Sequence, residues 1–201
     1  MNSADGAPHR KGVIQVAVVS GWDDLMKAMA VRAAVYLGEA GRTYGHEFDG
    51  NDHHATHLLA TIDKEPVGCC RIRYFGTFAK PERLTVLPSY RRGRYGRRGV
   101  AYELAQFAFD FCHRKGYRTV YGHAVEELVG FWARFGTARV PNGEFEVEGY
   151  KLVAMAGDAE LPADALGLHS GHLVLIRPEG AWDRPGPLEG VTPANAVELA
   201  A

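Results

Sequence analysis

A stretch rich in glycine and arginine, residues 86–101, carries the strongest chemical signal in the sequence. Its three glycines are interleaved with five arginines: Arg91, Arg92, Arg94, Arg97 and Arg98. Glycine lets the backbone turn tightly against a ligand, and arginine binds phosphate oxygens through paired N–H groups. An apolar-periodic helix follows, and the first N–H groups of a helix attract anions. The stretch predicts a diphosphate-binding turn, with a solvated basic loop as the alternative.

Two other phosphate-binding motifs do not fit this stretch. The glycine spacing differs from that of a dinucleotide-binding turn, and no repeated strand–helix–strand pattern follows. The sequence also lacks the Gly-Lys-Ser/Thr of a nucleotide-binding P-loop. The turn is therefore interpreted as a helix-terminus anion site of another kind.

A dense acidic cluster lies upstream, at Glu47, Asp49 and Asp52. Such a cluster could hold a cationic acceptor by charge, cap local backbone, or pair with Arg32 and Arg71. Histidines follow directly, but His53 and His57 lie on either side of a predicted loop-to-strand boundary, and no further ligand follows at the spacing of a zinc finger. No metal site is predicted.

The hydrophobic pattern predicts elements that could position these residues. Apolar runs predict strands, helical spacing of apolar residues predicts helices, and residues 38–54 read as a functional loop or a short extra helix. The predicted strands are Val13–Val19, His57–Ile62, Pro66–Phe75, Arg83–Leu87, Thr119–Val125, one or two within Phe145–Met155, and His172–Ile176. The predicted helices are residues 22–38, with Trp22 and Met26 in the core, Ala101–Lys115 and Glu126–Phe135.

This order predicts an α+β fold with a mixed, mostly antiparallel central sheet and flanking helices. We expect residues 1–12 to be a disordered N-terminus, 13–156 to be the folded domain, and 157–201 to be a partly disordered extension ending in a loose tail, Gly180–Ala201.

Composition excludes several classes of function. The net charge of −1 suggests neither a nucleic-acid nor a membrane-surface binder. No stretch approaches the roughly 20 apolar residues of a membrane helix. Cys69, Cys70 and Cys112 form no CxxC pair, and the two adjacent cysteines would point to opposite faces of a strand. A reducing, cytoplasmic location is expected.

Taken together, these motifs resemble the GNAT N-acetyltransferase superfamily. Val86–Arg91 resembles the family's strand exit, and Gly96–Ala101 resembles its loop motif Gln/Arg-x-x-Gly-x-Gly/Ala, with glycine at the first position and a longer loop. Other segments are similar to the ElaA-like subgroup: Arg32–Tyr36, Glu47–Asp52, His57–Leu59, His123–Val125, Phe131–Gly136 and Glu148–Tyr150. The resemblance covers about residues 13–156.

The resemblance implies an N-acyltransferase that moves an acetyl or other short acyl group from acetyl-CoA, or another acyl-CoA, to the amine of a small molecule by direct transfer. It also implies a homodimer by analogy. The donor contacts would come from one continuous region: Val86, Leu87, Arg91, Arg94, Gly96, Arg97, Arg98, Gly99, Val100 and Ala101. Backbone N–H groups of Val86 and Leu87 would meet the thioester carbonyl.

Two alternatives accompany this reading. The first is similarity to the acyl-homoserine-lactone synthases, which would add an acyl carrier protein as partner. The substrate side would be formed by Arg32, Tyr36, Glu47, Asp49, Asp52 and Arg71. In the synthase-like reading these residues, except Glu47, would bind S-adenosylmethionine. The second is a non-catalytic coenzyme A-binding module, since Trp132 stands where many family members carry an acidic tyrosine.

Transfer to an amine requires a proton acceptor, and the leaving thiolate takes up a proton. Glu82, Glu47 and His123 are the candidate bases. Glu82 would share a strand face with Leu84 and Val86, and the ordinary pKa of histidine suits proton transfer near neutrality. Tyr150 or Tyr121 could supply the acid, and Tyr150 is the predicted one.

Overall fold

The computed structural model describes residues 12–91, 98–147 and 149–190. Within these residues seven strands form one sheet: β1 Ile14–Val18, β2 Thr56–Ile62, β3 Glu65–Tyr74, β4 Phe78–Val86, β5 Thr119–Val125, β6 Ala138–Val147 and β7 Tyr150–Asp158. The helices are α1 Trp22–Arg32, α2 Tyr44–Glu47, α3 Val100–Arg114, α4 Val129–Trp132 and α5 His172–Leu175. A π-helical stretch, Ala33–Glu39, continues α1. Short 3-10 turns occupy Asp52–His54, Pro88–Tyr90, Glu126–Leu128, Ala133–Phe135 and Pro187–Gly190.

The sheet has the order β1-β2-β3-β4-β5-β7-β6. Every neighbouring pair is antiparallel except β4 and β5, which run parallel and are joined through α3. The predicted α+β class, with a mostly antiparallel mixed sheet, is confirmed. The turn between β2 and β3 is as tight as expected, since Asp63 and Lys64 take φ of 50° and 70°.

Helices cover the sheet from opposite sides. Ala28 and Val31 of α1 pack on Leu59 and Cys69, and we call this side the α1 face. Helix α3 packs on the other side of the sheet, which we call the α3 face. There Leu104 and Ala108 of the helix belong to the same core cluster as Cys70. The two adjacent cysteines therefore point to opposite faces, as the alternation of strand side chains predicts.

The parallel strands β4 and β5 separate soon after they begin. Their pairing comprises Phe78 with Thr119 and Ala79 with Val120, although β4 continues to Val86. Pro81 explains where the pairing stops. It lies opposite Ile72 in a non-hydrogen-bonded pair with β3, so its nitrogen faces β5 and has no hydrogen to donate. The result is a wedge-shaped gap between the C-terminal halves of β4 and β5.

A bulge follows in β4. The register with β3 shifts between Cys69 and Arg71, and Arg83 takes a φ of 53°, in the left-handed region. Glu82 pairs with Arg71 on the α1 face, whereas Leu84 and Val86 pack into the core on the α3 face. The prediction that Glu82 shares a face with Leu84 and Val86 is therefore wrong, because the bulge interrupts the alternation.

Residues 159–190 pack along the C-terminal half of α3. Trp182 is 5% exposed and stacks on Phe111 with ring centroids 5.2 Å apart. Arg114 pairs with Asp183, and Lys115 pairs with Glu179. The expected loose tail is therefore wrong for residues 180–190. Residues 1–11 and 191–201, whose disorder was predicted, lie outside the described part of the chain.

Three local predictions also differ from the structure. His172–Leu175 is a helical turn rather than a strand. Strand β4 begins at Phe78 rather than Arg83, because Pro81 is tolerated where the strand faces the gap. Trp22 and Met26 are 79% and 65% exposed, so the core face of α1 is formed instead by Ala28, Val31 and the residues that follow.

Candidate active site

The backbone of Val86 faces the gap between β4 and β5. Leu87 N–H donates to the carbonyl of Val67 at 2.9 Å, so these two residues form a hydrogen-bonded pair with β3. Val86 and Gly68 form the next, non-hydrogen-bonded pair, and the N–H of Val86 therefore points away from β3. The prediction of a backbone donor fits Val86. It does not fit Leu87, whose N–H is already committed.

Helix α3 begins beside this strand end. Gly99 precedes it with φ 84° and ψ 162°, a conformation that is essentially restricted to glycine. No side chain among the described residues caps the helix start, so the N–H groups of Val100 and Ala101 have no side-chain acceptor there. Gly68 lets the helix lie close to the sheet, because a Cβ there would come within 2.9 Å of Leu104. This geometry suits an anion.

Some of the residues predicted to bind the donor in the turn lie within the described part of the chain, and others lie outside it. Arg94, Gly96 and Arg97 lie outside the described residues. Arg98 is exposed, donates to the hydroxyl of Tyr102 at 2.5 Å and stacks over its ring.

Arg91 is held in place by protein groups. Its Nε donates to the carbonyl of Val86 at 2.8 Å, and its terminal nitrogens bind both carboxylate oxygens of Glu39 at 2.6 and 2.5 Å. The bond with Glu39 raises the pKa of the guanidinium. Arg91 thus anchors the end of β4 to the end of the α1 extension, and its guanidinium is already engaged.

On the α1 face, the predicted acidic cluster forms an ion-pair network with two buried arginines. Arg32 is 1% exposed and contacts Glu47 at 2.6 Å and Asp52 at 2.5 Å. It also donates to the backbone carbonyl of Glu47 at 2.9 Å. These bonds fix the chain between α1 and β2 against the helix. Of the three readings of the cluster, the structure contains two: pairing with Arg32 and Arg71, and local capping, since the N–H of Asn51 donates to Asp49 at 3.1 Å.

Arg71 on β3 is the centre of the same network. It is fully buried and binds Asp49 at 2.7 Å, Asp52 at 3.0 Å and Glu82 at 2.5 Å. The network therefore joins the acidic segment to the two central strands. Sequence spacing could suggest the pairing but not its burial.

The pKa values in the network follow from burial and pairing. Hydrogen bonds from Arg71 lower the pKa of Asp49. Burial opposes ionisation of Asp52, but the bonds from Arg32 and Arg71 outweigh it and lower the pKa. For Glu47 burial prevails, and the pKa is raised although Arg32 and Arg83 oppose it.

Glu82 lies beside the gap on the α1 face, paired with Arg71 and with Lys80 at 2.8 Å. Burial alone would raise the pKa of its carboxyl, but Lys80 and Arg71 outweigh burial and lower it. A carboxylate held by two cations is a weak base. The pairing therefore disfavours Glu82 as a proton acceptor.

His123 stands across the gap from Glu82. Alternation along β5 places Tyr121 and His123 on the α1 face, since Val120 and Ala124 pack on the other side. The His123 ring is exposed, and its Nε2 lies 3.0 Å from the Tyr121 hydroxyl. Desolvation and the charge of Lys80 lower the pKa of the imidazole, although Glu82 opposes them. The lowered pKa favours the neutral imidazole, which is the form that can accept a proton.

Trp132 packs at the closed end of the gap. Its ring stacks near Phe109, with centroids 6.3 Å apart. A small cavity of about 20 Å³ lies beside it, bounded also by Pro81, His123 and Met155. Trp132 thus packs against apolar side chains beside this cavity.

Tyr36 and Tyr150 meet at an arginine that the sequence analysis did not select. The hydroxyl of Tyr36 donates to the carbonyl of Leu84 in the bulge at 3.4 Å, and burial raises its pKa. Tyr150 lies on β7, beyond the end of β5. The guanidinium of Arg42 stacks over both rings, 5.1 and 5.2 Å from their centroids. Arg42 lies in the polar segment 38–54, where no periodic pattern of apolar residues predicts which side chains face the site.

The described residues contain no group of three or more histidine, cysteine, aspartate or glutamate side chains arranged to hold a metal ion. No helix in the same part of the chain is both long and apolar enough to cross a membrane.

Comparison with known proteins identifies the family. Residues 22–137, more than half of the chain, match the model of the acetyltransferase (GNAT) family. The chain therefore belongs to the GNAT acetyltransferase family, which confirms the resemblance inferred from its motifs. It is also 29% identical over 145 residues to a Bacillus subtilis (strain 168) protein named as a candidate acetyltransferase, covering 71% of this chain and 95% of that protein.

Solved structures share the fold. Escherichia coli ElaA superposes with a TM-score of 0.63 at 22% identity, covering 73% of this chain and 100% of ElaA. The PaiA N-acetyltransferase of Thermoplasma acidophilum, solved in complex with coenzyme A, superposes with a TM-score of 0.53 at 14% identity, covering 73% and 99%. At these identities the likeness establishes the fold.

Proposed function

We propose that this chain is an N-acyltransferase that takes an acetyl or other short acyl group from acyl-CoA and transfers it directly to the amine of a small molecule. One observation carries the proposal. The N–H of Val86 points into the gap between β4 and β5, next to a helix start that no described side chain caps. Family membership supports the same class of reaction.

The residues present fit a coenzyme A thioester. The N-terminus of α3 offers backbone N–H groups and a positive dipole end to a diphosphate. Val86 and Val100, at the start of α3, belong to the same core cluster, and Trp132 lines a small cavity that Pro81 and His123 also border. When bound, the thioester supplies an activated acyl carbonyl. The Val86 N–H would donate to the oxygen of that carbonyl, where negative charge develops.

For proton transfer, the geometry favours His123 over Glu82. His123 has a lowered pKa and an exposed ring, whereas Glu82 is bound by Arg71 and Lys80. His123 would accept the amine proton, directly or through water. Tyr150, exposed at the edge of the gap, remains our candidate for the acid.

The synthase-like alternative receives less support. It needs Arg32, Asp52 and Arg71 to contact S-adenosylmethionine, yet these groups are buried or bound to one another. An acyl carrier protein as donor, a homodimer and a cytoplasmic location remain predictions. The non-catalytic module differs from the proposed enzyme only in its lack of turnover.

Donor titration tests the proposal. Calorimetry with coenzyme A and with pantetheine, which lacks the diphosphate, should show at least about tenfold tighter binding of coenzyme A if helix α3 binds the diphosphate. Equal affinities would contradict the assigned site. Titration with acetyl-CoA, octanoyl-CoA and S-adenosylmethionine would then rank the donors. Thiol release with a panel of amines separates an enzyme from a binding module, because a module binds the donor without releasing thiol.

A further inference from the structure

Arg42 has an environment unlike that of the other arginines around the gap. Arg32, Arg71 and Arg91 each bind at least one carboxylate at 2.7 Å or less. Among the described residues, no carboxylate forms an ion pair with Arg42 at 4.0 Å or less, although its charge counteracts the raised pKa of Glu47. The buried Nε of Arg42 has no hydrogen-bond partner. A buried guanidinium N–H without an acceptor is costly, and a ligand that accepts from it would remove this cost.

Two tyrosine rings hold this guanidinium. The ring centroids of Tyr36 and Tyr150 lie 5.1 and 5.2 Å from its central carbon. The backbone is fixed as well, because the N–H of Arg42 donates to the carbonyl of Tyr36 at 2.8 Å and Gly41 takes a φ of 66°. Aromatic contacts with its faces leave the N–H edge of a guanidinium available to a planar anion.

The position of the Tyr36–Arg42–Tyr150 stack relates it to the gap. Tyr36 is bonded to Leu84 in β4, and Tyr150 is on β7, the strand that pairs with β5. The stack therefore connects the two sides of the gap at its open end. Alternation along β7 places Tyr150 on the α1 face, the face that also carries Glu82 and His123. Arg42 thus lies on the side from which an acceptor would reach the thioester.

We infer that Arg42 recognises a carboxylate on the acceptor, so that the substrate is an amine carrying a carboxylate, of the amino-acid class. This inference rests on the proposed N-acyltransferase function and deepens it. The amine would lie toward His123, and the carboxylate would pair edge-on with the Arg42 guanidinium. Arginine suits this role because its planar fork binds carboxylate through two parallel hydrogen bonds.

The test compares each α-amino acid with its methyl ester, which keeps the amine and loses the negative charge. Wild-type protein should acetylate the best acids with a kcat/KM about tenfold to a hundredfold above that of their esters. In Arg42→Gln the acid should lose this advantage mainly through KM, and acid and ester should become about equal. Arg42→Lys, which keeps the charge without the fork, should restore part of the preference.

Arg73→Gln is the matched control. Arg73 also stacks its guanidinium on an aromatic ring, that of Phe75 at 5.1 Å, but it lies on β3 away from the gap. It should keep the preference for the acid. Equal use of acids and esters by the wild type would overturn the inference. So would a loss in Arg42→Gln that affects acid and ester alike, because that result describes a purely structural residue.

The design separates this inference from the proposed function. Failure to bind coenzyme A, or binding without any thiol release, contradicts the proposed enzyme. In that case calorimetry of the acids and esters still tests the carboxylate site by comparing their affinities. Coenzyme A is included in these titrations if the protein binds it. Tighter binding of acids that disappears in Arg42→Gln supports the site, and absence of such binding refutes it.

Discussion

On the α3 face, the gap between β4 and β5 is bounded by backbone groups and apolar walls: the N–H of Val86, the start of α3 and the ring of Trp132. On the α1 face it is bounded by charged side chains, most of them paired. The difference indicates that the two faces can have different roles. Backbone geometry can bind a donor common to many enzymes, whereas side chains on the other face can select the acceptor.

The largest expected effect concerns the network of the α1 face. Arg71→Met should lower the free energy of unfolding by about 3–5 kcal/mol, because it leaves Asp49, Asp52 and Glu82 with uncompensated charge. Urea unfolding measures the loss. Arg73→Met on the same strand, whose guanidinium contacts only a ring among the described residues, is the control. A loss no larger than that of the control would show that the network contributes little to stability.

The next effect concerns proton transfer on the same face. His123→Gln should lower kcat by about a hundredfold or more if the ring is the general base. The pKa of His123 is lowered, so wild-type kcat/KM should decrease as the pH drops below the ordinary pKa of histidine, because the ring then becomes protonated. This acidic limb should vanish in His123→Gln. His172→Gln, exposed in α5, should behave as wild type. An unchanged limb in His123→Gln would assign it to another group.

A smaller effect is expected on the α3 face, where main-chain groups are proposed to bind the donor. Gly99→Ala should weaken coenzyme A binding about tenfold, since a Cβ disfavours φ of 84° with ψ of 162° and shifts the start of α3. Calorimetry measures the change. Gly130→Ala, in α4 with open space around its Cα and no positive φ, should leave the affinity unaltered. Wild-type affinity in Gly99→Ala would place the donor elsewhere.

The smallest effect is a dependence of stability on pH. The pKa values of Asp49, Asp52 and Glu82 are lowered, so their contribution is present above their unfolded pKa values and is lost as pH falls through the folded ones. The slope is at most about 1.4 kcal/mol per pH unit for each group, beginning below about pH 4. Glu47, with its raised pKa, acts in the opposite direction.

Urea unfolding across acidic pH tests this dependence. Asp49→Asn removes one titrating group and should flatten the dependence relative to wild type. Identical slopes in the two proteins would mean that Asp49 titrates alike in the folded and unfolded states.

Much of the fold could be predicted because its signals are local. The apolar periodicity of residues 101–115 gave α3 to within one residue at each end, and the apolar runs gave β1, β2, β3 and β5. The start of β4 was missed because Pro81 reads locally as a breaker, yet the divergence of β5 makes its missing N–H harmless. Trp22 and Met26 were misplaced because helical spacing does not tell which face a sheet will cover.

For the candidate site, the sequence by itself determined one local feature of the proposed donor side, a glycine at residue 99 directly before an amphipathic helix. This arrangement favours a helix start able to accept an anion, because the backbone freedom of glycine and the unpaired first N–H groups of a helix are local properties. The tertiary structure decided which face Glu82 occupies, that Arg71 is buried among three carboxylates, and that Arg42 lies between two tyrosines. Those outcomes depend on a bulge, a strand divergence and contacts between distant segments, and no local pattern encodes them.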